Sequence, residues 1–391
     1  MQPGALEVEA VQPSIRRVAG LPTVGIIGGG QLGRMLALAG HTMGIRSIVL
    51  DPDPASPAAQ VVPIALTGSL AELASLRELA RLSDLVTFEN EWVDPALVRA
   101  LEIEGYSVWP SSQTLGYIQD KFHQRRHLQQ AGLPVPRFRA VDRLDQLADW
   151  QQWPLVLKTR RQGYDGHGVR IVPTAAQLAA AWEELAGQPL IVEAFVPFER
   201  ELAVMVARSA SGEVRSFPVV ETRQQQHVCH TVIAPAPVSA AVHERAAAIA
   251  VAAIEAIAGV GIFGVELFVE PDGTVTINEL APRPHNSGHY TIDACDVSQF
   301  EQHLRAVLGW PLAAATMHSP AAVMVNILAQ TTTEQAQPDL AAALALPGVK
   351  VHWYGKHAAR PGRKLGHLTA VAADWQIALE RALSARQVLG V

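Results

Sequence analysis

Short apolar runs that end in glycine or acidic residues recur along the first third of the chain and predict a parallel α/β beginning. Thr23-Val24-Gly25-Ile26-Ile27 reads as a buried strand, Gly28-Gly29-Gly30-Gln31-Leu32-Gly33 as a tight turn, and the spacing to about Ala39 as a helix. Ser47-Ile48-Val49-Leu50 forms a second strand closed by Asp51. Asp84-Leu85-Val86-Thr87-Phe88 forms a third, running into Glu89-Asn90-Glu91-Trp92. Ser111-Ser112 open a helix expected to stop at Gly132, with Pro134 and Pro136 beyond it as a natural domain boundary.

The middle of the chain changes character. Pro154-Leu155-Val156-Leu157-Lys158 is a strand ending in a lysine, followed by the glycine-rich Gly163-Tyr164-Asp165-Gly166-His167-Gly168-Val169. Glycines between two strands let backbone N–H groups approach phosphate oxygens closely, and Lys158 can neutralise the same phosphates; a hairpin without ligand is the alternative. Leu190-Ile191-Val192-Glu193-Ala194-Phe195-Val196 is a further strand, followed by Glu199-Arg200-Glu201. An Ala-rich helix from about Ala246 leads into Gly261–Val269, and Pro271-Asp272-Gly273 joins that strand to Thr276-Ile277-Asn278-Glu279-Leu280. Asp-Gly between two β-rich runs predicts a hairpin. With Asp272-Gly273 as the two turn residues, Pro271 pairs with Thr274 and Glu266 faces Glu279, their Cβ atoms about 5 Å apart. Like charges so placed repel unless a cation lies between them, and oxygen ligands suit magnesium. A bulge at Gly273 instead slips the pairing by one residue.

Candidate chemistry is densest directly after that hairpin, in Pro282-Arg283-Pro284-His285-Asn286-Ser287-Gly288-His289. A rigid scaffold presents catalytic groups on such strand-end loops. Near the C-terminus, Val351-His352-Trp353-Tyr354 is a strand, and Lys356, Arg360, Arg363 and Lys364 crowd one connection. The whole chain carries a formal net charge of −6, so this local basic cluster suits a phosphomonoester.

Composition acts mainly by exclusion. A chain of 391 residues implies two or three domains, and 49% hydrophobic with 17% charged residues is the balance of a folded globular protein. The net charge argues against a nucleic-acid partner. Glu255 and two glycines interrupt the most apolar stretch, which argues against a membrane span. Cys229 and Cys295 give neither a disulfide framework nor CxxC spacing, which favours a reducing, cytoplasmic setting. Residues 1–20 read as a flexible extension without the apolar segment of a leader.

Taken alone, the glycine-rich turn with Asp51 after the second strand would indicate a nicotinamide dinucleotide site. The wider constellation resembles the ATP-grasp superfamily and, within it, the 5-(carboxyamino)imidazole ribonucleotide synthetases of purine biosynthesis. The resemblance runs from Gly25 to about Val371. Its carriers are Gly29–Met35, Gly163–Gly166, Ile277–Arg283 with His285–His289, and Arg360–His367. It implies an α/β fold with a flexible extension at 1–20 and a Rossmann-like domain at 21–120. A two-part α+β ATP-grasp domain at 121–315 would follow, its lid at about 137–200, and then a small β-rich C-terminal domain at 316–391.

The resemblance further implies that the first domain binds no nicotinamide, its Gln31, Leu32 and Glu89 facing a ribonucleotide. Lys121, Lys158, Gly163–Val169, Glu193, Ala194, Phe195, Val196, Glu201, Asn278 and Glu279 would hold ATP. Glu266 and Glu279 would carry magnesium, with manganese the alternative ion. Tyr164, Asp165, Arg283, His285, Asn286, Ser287, Lys356, Arg363 and Lys364 would face bicarbonate and 5-aminoimidazole ribonucleotide. The implied reaction is carboxylation of that ribonucleotide through carboxyphosphate, or carbon dioxide released from it, by a homodimer. Arg283, His285, Asp165 and Lys356 are the catalytic candidates, and Asp165, His285 and released phosphate all remain candidates for the amine proton. Where many relatives carry a histidine after Val219-Val220-Glu221, this chain reads Thr222-Arg223-Gln224-Gln225-Gln226, and that contact stays unassigned. Three rivals stand beside this reading: a formate-dependent glycinamide ribonucleotide transformylase, a nicotinamide-dependent oxidoreductase and a non-catalytic nucleotide-binding regulator.

Overall fold

The computed structural model describes residues 20–161, 163, 168–185, 187–333 and 336–391. The expectations for Tyr164, Asp165, Gly166, His167 and the N-terminal extension up to residue 19 lie outside the described residues.

The chain opens with β1 (Thr23–Ile27), α1 (Gln31–Thr42), β2 (Arg46–Asp51), β3 (Ile64–Thr67), α2 (Leu73–Arg81), β4 (Leu85–Phe88) and α3 (Pro95–Ile103). The strands form a parallel sheet in the order β3-β2-β1-β4. Strand order reverses beside β1, so the crevice at the carboxyl ends of β1 and β4 is where such a sheet accepts a ligand. The single helix expected from Ser112 to Gly132 is instead two, α4 (Ser112–Gln119) and α5 (Lys121–Gln130). Asp120 takes an extended conformation between them and accepts hydrogen bonds from the backbone N–H groups of Phe122 and His123. It also pairs with Arg160 at 2.7 Å. This N-cap restarts the helix and sets Lys121 at its first position.

Four strands, β5 (Phe138–Val141), β6 (Leu155–Thr159), β7 (Val169–Val172) and, beyond α6 (Leu178–Glu184), β8 (Leu190–Ala194), form an antiparallel sheet ordered β5-β8-β6-β7. Its apolar face is a separate core with Trp150, Leu155, Leu157 and Val192. The remaining strands build one nine-stranded sheet. They are β9 (Arg200–Arg208), β10 (Val214–Ser216), β11 (Val220–Gln225), β12 (Val228–Ala234) and, after α7 (Ala240–Ala256), β13 (Gly261–Val269) and β14 (Val275–Ala281). Beyond α8 (Thr291–Ala294) and α9 (Gln299–Val307) come β15 (Ala321–Leu328), α10 (Leu340–Leu344), β16 (Val349–Trp353), β17 (Lys364–Ala372) and α11 (Trp375–Val388). The order is β14-β13-β9-β11-β12-β15-β17-β16, with β10 on β9, so the last three strands continue the central sheet through β12 and β15. Among the described residues, no helix is long and apolar enough to cross a membrane.

Candidate active site

The β13–β14 hairpin brings Glu266 opposite Glu279 by a route the turn chemistry alone does not show. The turn holds three residues, not two: Glu270 N–H donates to Thr274 O at 2.9 Å, and Gly273, at φ +83°, donates to Glu270 O. Asp272-Gly273 therefore do not form the whole loop, and Pro271 does not pair with Thr274. Val269 faces Val275 and Leu267 faces Ile277, one residue out of the two-residue register. A bulge between Glu266 and Leu267 then absorbs Asn278 and restores the opposition of Glu266 and Glu279. Packing gives the reason. Val275, Ile277 and Leu280 all enter the core that takes Phe263, Val265, Leu267 and Val269, so the spacing lengthens from two to three across Asn278-Glu279. Both polar side chains are thereby turned to the face that carries Glu266.

On that face Lys121 Nζ lies 2.6 Å from Glu279, and Lys158 Nζ lies 3.5 Å from Asn278 Oδ1. Asn278 Nδ2 donates to Glu266 at 3.4 Å, and His285 Nε2 stands 3.4 Å from the same carboxylate. Burial, then the neighbouring Glu279 and Glu201, push the Glu266 carboxyl up to about 7, although its side chain keeps 32% exposure to the cleft. A carboxylate held there against a second one is a group arranged for a cation. His285 is driven the other way, to about 3, by burial and by Arg283 and Lys364.

Glu193 lies in the floor of the cleft. Burial would raise its pKa, but Arg125 and Lys158, each 2.7 Å away, override that and hold it at about 2. Its carboxylate is therefore occupied by these cations. The Arg125 guanidinium also bonds the Asn278 carbonyl, tying the bulge to α5. Ala194 ends β8, with Phe195 and Val196 in the link to β9. Glu201, on β9, is raised by burial and hydrogen-bonded by Gln224, which places the unassigned Gln224 beside this carboxylate. Gln226 and His227, both at positive φ, form the β11–β12 turn, so His227 is at the exposed tip. Gly163 lines a pocket of about 250 Å³ with Glu91, Lys121, Arg160, Arg161 and Glu279. Gly168, at φ +75°, leads into β7, which Val169 begins.

The glycine-rich turn after β1 is filled by protein. Gly29 N–H donates to Asp51 at 2.6 Å and Gly33 N–H to Glu89 at 3.4 Å, using donors that a dinucleotide pyrophosphate would need. A Cβ at Gly28 or Gly30 would lie within 2.8 Å of Glu89 side-chain atoms, so these glycines serve the close approach of Glu89. Gln31 stands at the first position of α1, while Leu32 puts its side chain into the core and leaves only its main chain for a ligand. Burial raises the Glu89 carboxyl despite the field of Arg283.

Arg283 forms a two-point ion pair with Glu91, one contact at 2.9 Å, joining the β14 loop to the end of β4. Asn286 exchanges two hydrogen bonds with Asn326 of β15, and Ser287 Oγ lies 2.9 Å from His285 Nδ1. Gln299 clasps His285 from behind, accepting from its N–H and donating to its carbonyl. Lys356 sits 5.7 Å above the Tyr354 ring. Burial, with Arg363 and Lys364 nearby, lowers it to about 8, and Glu89 is close enough to oppose that shift. Gln60 donates to Gly355 O at 2.7 Å, fastening this basic loop to the first domain. Arg363 bonds the Ala358 carbonyl within the loop, and Lys364 begins β17. The strand-end loops of β1, β4, β14 and β16 thus converge.

Glu91, Arg125, Gln299 and Asn326 were not singled out in the sequence. Glu91 had a signal, its place beside Glu89 at a strand end. The other three lie in ordinary helix or strand patterns with nothing local to mark them.

The chain matches three domain families in succession: a ribonucleotide synthetase preATP-grasp domain over residues 21–119, an ATP-grasp domain over 126–300, and a phosphoribosylaminoimidazole carboxylase C-terminal domain over 322–381. Fold and site together define an ATP-grasp enzyme. The N5-carboxyaminoimidazole ribonucleotide synthase of Synechococcus elongatus is 42% identical over 374 residues, 94% of this chain and 93% of that protein. A crystal structure of an N5-carboxyaminoimidazole ribonucleotide synthetase with ADP superposes with a TM-score of 0.89 at 40% identity, covering 95% of this chain and 98% of the other. The Aspergillus clavatus N5-carboxyaminoimidazole synthase, solved with ADP and 5-aminoimidazole ribonucleotide, gives 0.86 at 36% identity, covering 94% and 98%. The chain belongs to the N5-carboxyaminoimidazole ribonucleotide synthase family.

Proposed function

We infer that this protein carboxylates 5-aminoimidazole ribonucleotide with bicarbonate at the expense of ATP, giving 5-(carboxyamino)imidazole ribonucleotide, ADP and phosphate in purine biosynthesis. The observation that carries the reading is the opposed Glu266–Glu279 pair with the basic Lys356–Lys364 loop facing the same cleft region as Glu89. The formate-dependent rival and the regulator are disfavoured by family membership. A nicotinamide reading is disfavoured by the occupied donors of Gly29 and Gly33.

Two facing carboxylates with an amide oxygen beside them fit magnesium, with manganese as its alternative, and Glu266, Glu279 and Asn278 would hold it. When bound, it neutralises charge on the terminal phosphates. Lys121 and Lys158 point cations at the same place, and Glu193 orients Lys158. A bicarbonate oxygen attacks the γ-phosphorus, the bond to the β-phosphate oxygen breaks, and ADP leaves. The exocyclic amine then attacks the carboxyphosphate carbonyl, or carbon dioxide formed from it in place. Phosphate departs, and the carbamate remains. His285, held neutral by burial, is a weak base and serves as a hydrogen-bonding wall, which leaves the amine proton to Asp165 or the departing phosphate. Arg283, its fork steadied by Glu91, suits bicarbonate or carboxyphosphate. Asn286 lines the approach, the fully buried Ser287 steadies the His285 ring from behind without itself reaching the ribonucleotide, and Lys356, Arg363 and Lys364 receive the ribonucleotide phosphate. The expected lid role, keeping the intermediate from water, falls in part on Tyr164 and Asp165, which lie outside the described residues. A cytoplasmic homodimer completes the reading.

ADP release with bicarbonate is measured with and without aminoimidazole ribonucleotide, beside Glu279→Gln. Strong stimulation by the ribonucleotide, lost in the variant, is expected. Turnover driven instead by formate or another amine would discard the substrate assignment while keeping the phosphoryl chemistry.

A further inference from the structure

We propose that Asp293, His352 and His367 form a second metal site, one for a transition-metal dication of the zinc class, set apart from the phosphate cleft. One ring nitrogen of each histidine and a carboxylate oxygen of Asp293 lie within 4.8 Å of one another. His352 and His367 are direct cross-strand partners on β16 and β17, their rings stacked at 4.4 Å. Asp293 reaches them from α8, with its Oδ2 2.8 Å from His352 Nε2.

The second observation is an orphaned ligand atom. His367 is fully buried, its Nδ1 bonded to the Tyr354 hydroxyl at 2.8 Å, and among the described residues its Nε2 has no partner. Two residues along the same strand, and so on the same face, the buried Thr369 hydroxyl is also unpartnered. Buried polar atoms almost always find partners, and an orphaned pair on one face marks a place for water or an ion. Donor chemistry chooses between them. Two imidazoles and one carboxylate are the ligand set of zinc-class ions, which bind imidazole nitrogen at about 2.0–2.1 Å. Ligands of a tetrahedral ion at that distance stand about 3.3 Å apart, so the three donors need to close by at most about 1.5 Å. His352 and Asp293, at 27% and 11% side-chain exposure, give the ion a way in and can make that adjustment. The Tyr354 hydroxyl fixes the His367 ring from behind, as an outer partner does for a metal-bound imidazole.

Such an ion would tie α8, immediately after the His285–His289 loop, to the two strands that flank the basic loop. It would hold together the two sides of the ribonucleotide pocket without touching the ATP phosphates.

The test uses untagged full-length protein stripped with chelator and titrated with Co²⁺ in saturating Mg²⁺, read by visible d–d absorption. One equivalent of Co²⁺ is expected to give an intense band of low coordination number, displaced by Zn²⁺. The band persists in Glu279→Gln, and affinity falls at least about tenfold in His352→Ala and in Asp293→Asn. The partly exposed His352 and Asp293 carry the test because the buried His367 is a poor site for substitution. No band, or a band that survives both substitutions, overturns the proposal and leaves the orphaned atoms to a buried water. So does a band lost in Glu279→Gln.

Discussion

Replacing Glu266 by Gln should abolish turnover and yet stabilise the metal-free protein. Glu266 is raised from 4.5 to about 7 by burial and by Glu279 and Glu201. At about 1.36 kcal/mol per pH unit, that sets a ceiling of ~3 kcal/mol on the cost of its charge. Its 32% exposure and the salt bridge from Lys121 to Glu279 screen part of this, so a gain of about 1–2 kcal/mol is expected. Gln keeps an oxygen to accept from Asn278 and removes the charge. The sign follows from linkage. For a carboxyl whose folded value is raised, the cost is absent below pH 4.5, where both states are protonated, grows between 4.5 and about 7, and is constant above. Thermal unfolding in chelator should therefore show the variant more stable than wild type at pH 8, with the difference vanishing near pH 4.5. Added Mg²⁺ and ATP analogue should raise the wild type above the variant, because only the wild type retains both carboxylates. A variant less stable than wild type in chelator at pH 8, or a gain undiminished near pH 4.5, would refute the reasoning.

Glu193→Gln should do the opposite, costing about 3–5 kcal/mol, because Arg125 and Lys158 are left buried without a counter-charge. Since Glu193 is depressed to about 2, its contribution is full above pH 4.5 and fades as pH falls through 2. The gap between wild type and variant in urea unfolding should shrink over that window, and a pH-independent gap would count against the ion pair. Lys356, lowered to about 8, is charged below that pH and neutral above it. The KM for the ribonucleotide should rise as pH passes through about 8, and Lys356→Arg should remove that inflection; an inflection unchanged in the variant would assign the titration to another group.

Much of this protein was legible from local pattern. Strands β1, β2 and β4 of the first sheet, the glycine-rich turn, the β13–β14 hairpin and the basic loop before β17 follow from periodicity and turn chemistry, which act over a few residues; the mostly exposed edge strand β3 was not read. The break at Asp120 had only a weak local cue, an acidic residue within a helical run. Its cap competes with continuation of the helix, and the Arg160 pair decides the contest.

By itself the sequence determined the strongest strands and helices and the residues rich in chemistry, while strands such as β3, β9, β11, β12 and β15 went unread. Tertiary structure decided how those residues act. The opposition of Glu266 and Glu279 needed a three-residue turn and a compensating bulge, both set by which side chains the core accepts. The filling of the Gly28–Gly30 turn by Glu89, the pairing of Arg283 with Glu91, and the approach of Lys356 to Glu89 join segments far apart in the chain. Hydrophobic spacing and turn residues are short-range signals. Ion pairs and packing phases between distant segments exist only once the sheets have docked, and there desolvation turns ordinary carboxylates, lysines and histidines into groups with a function.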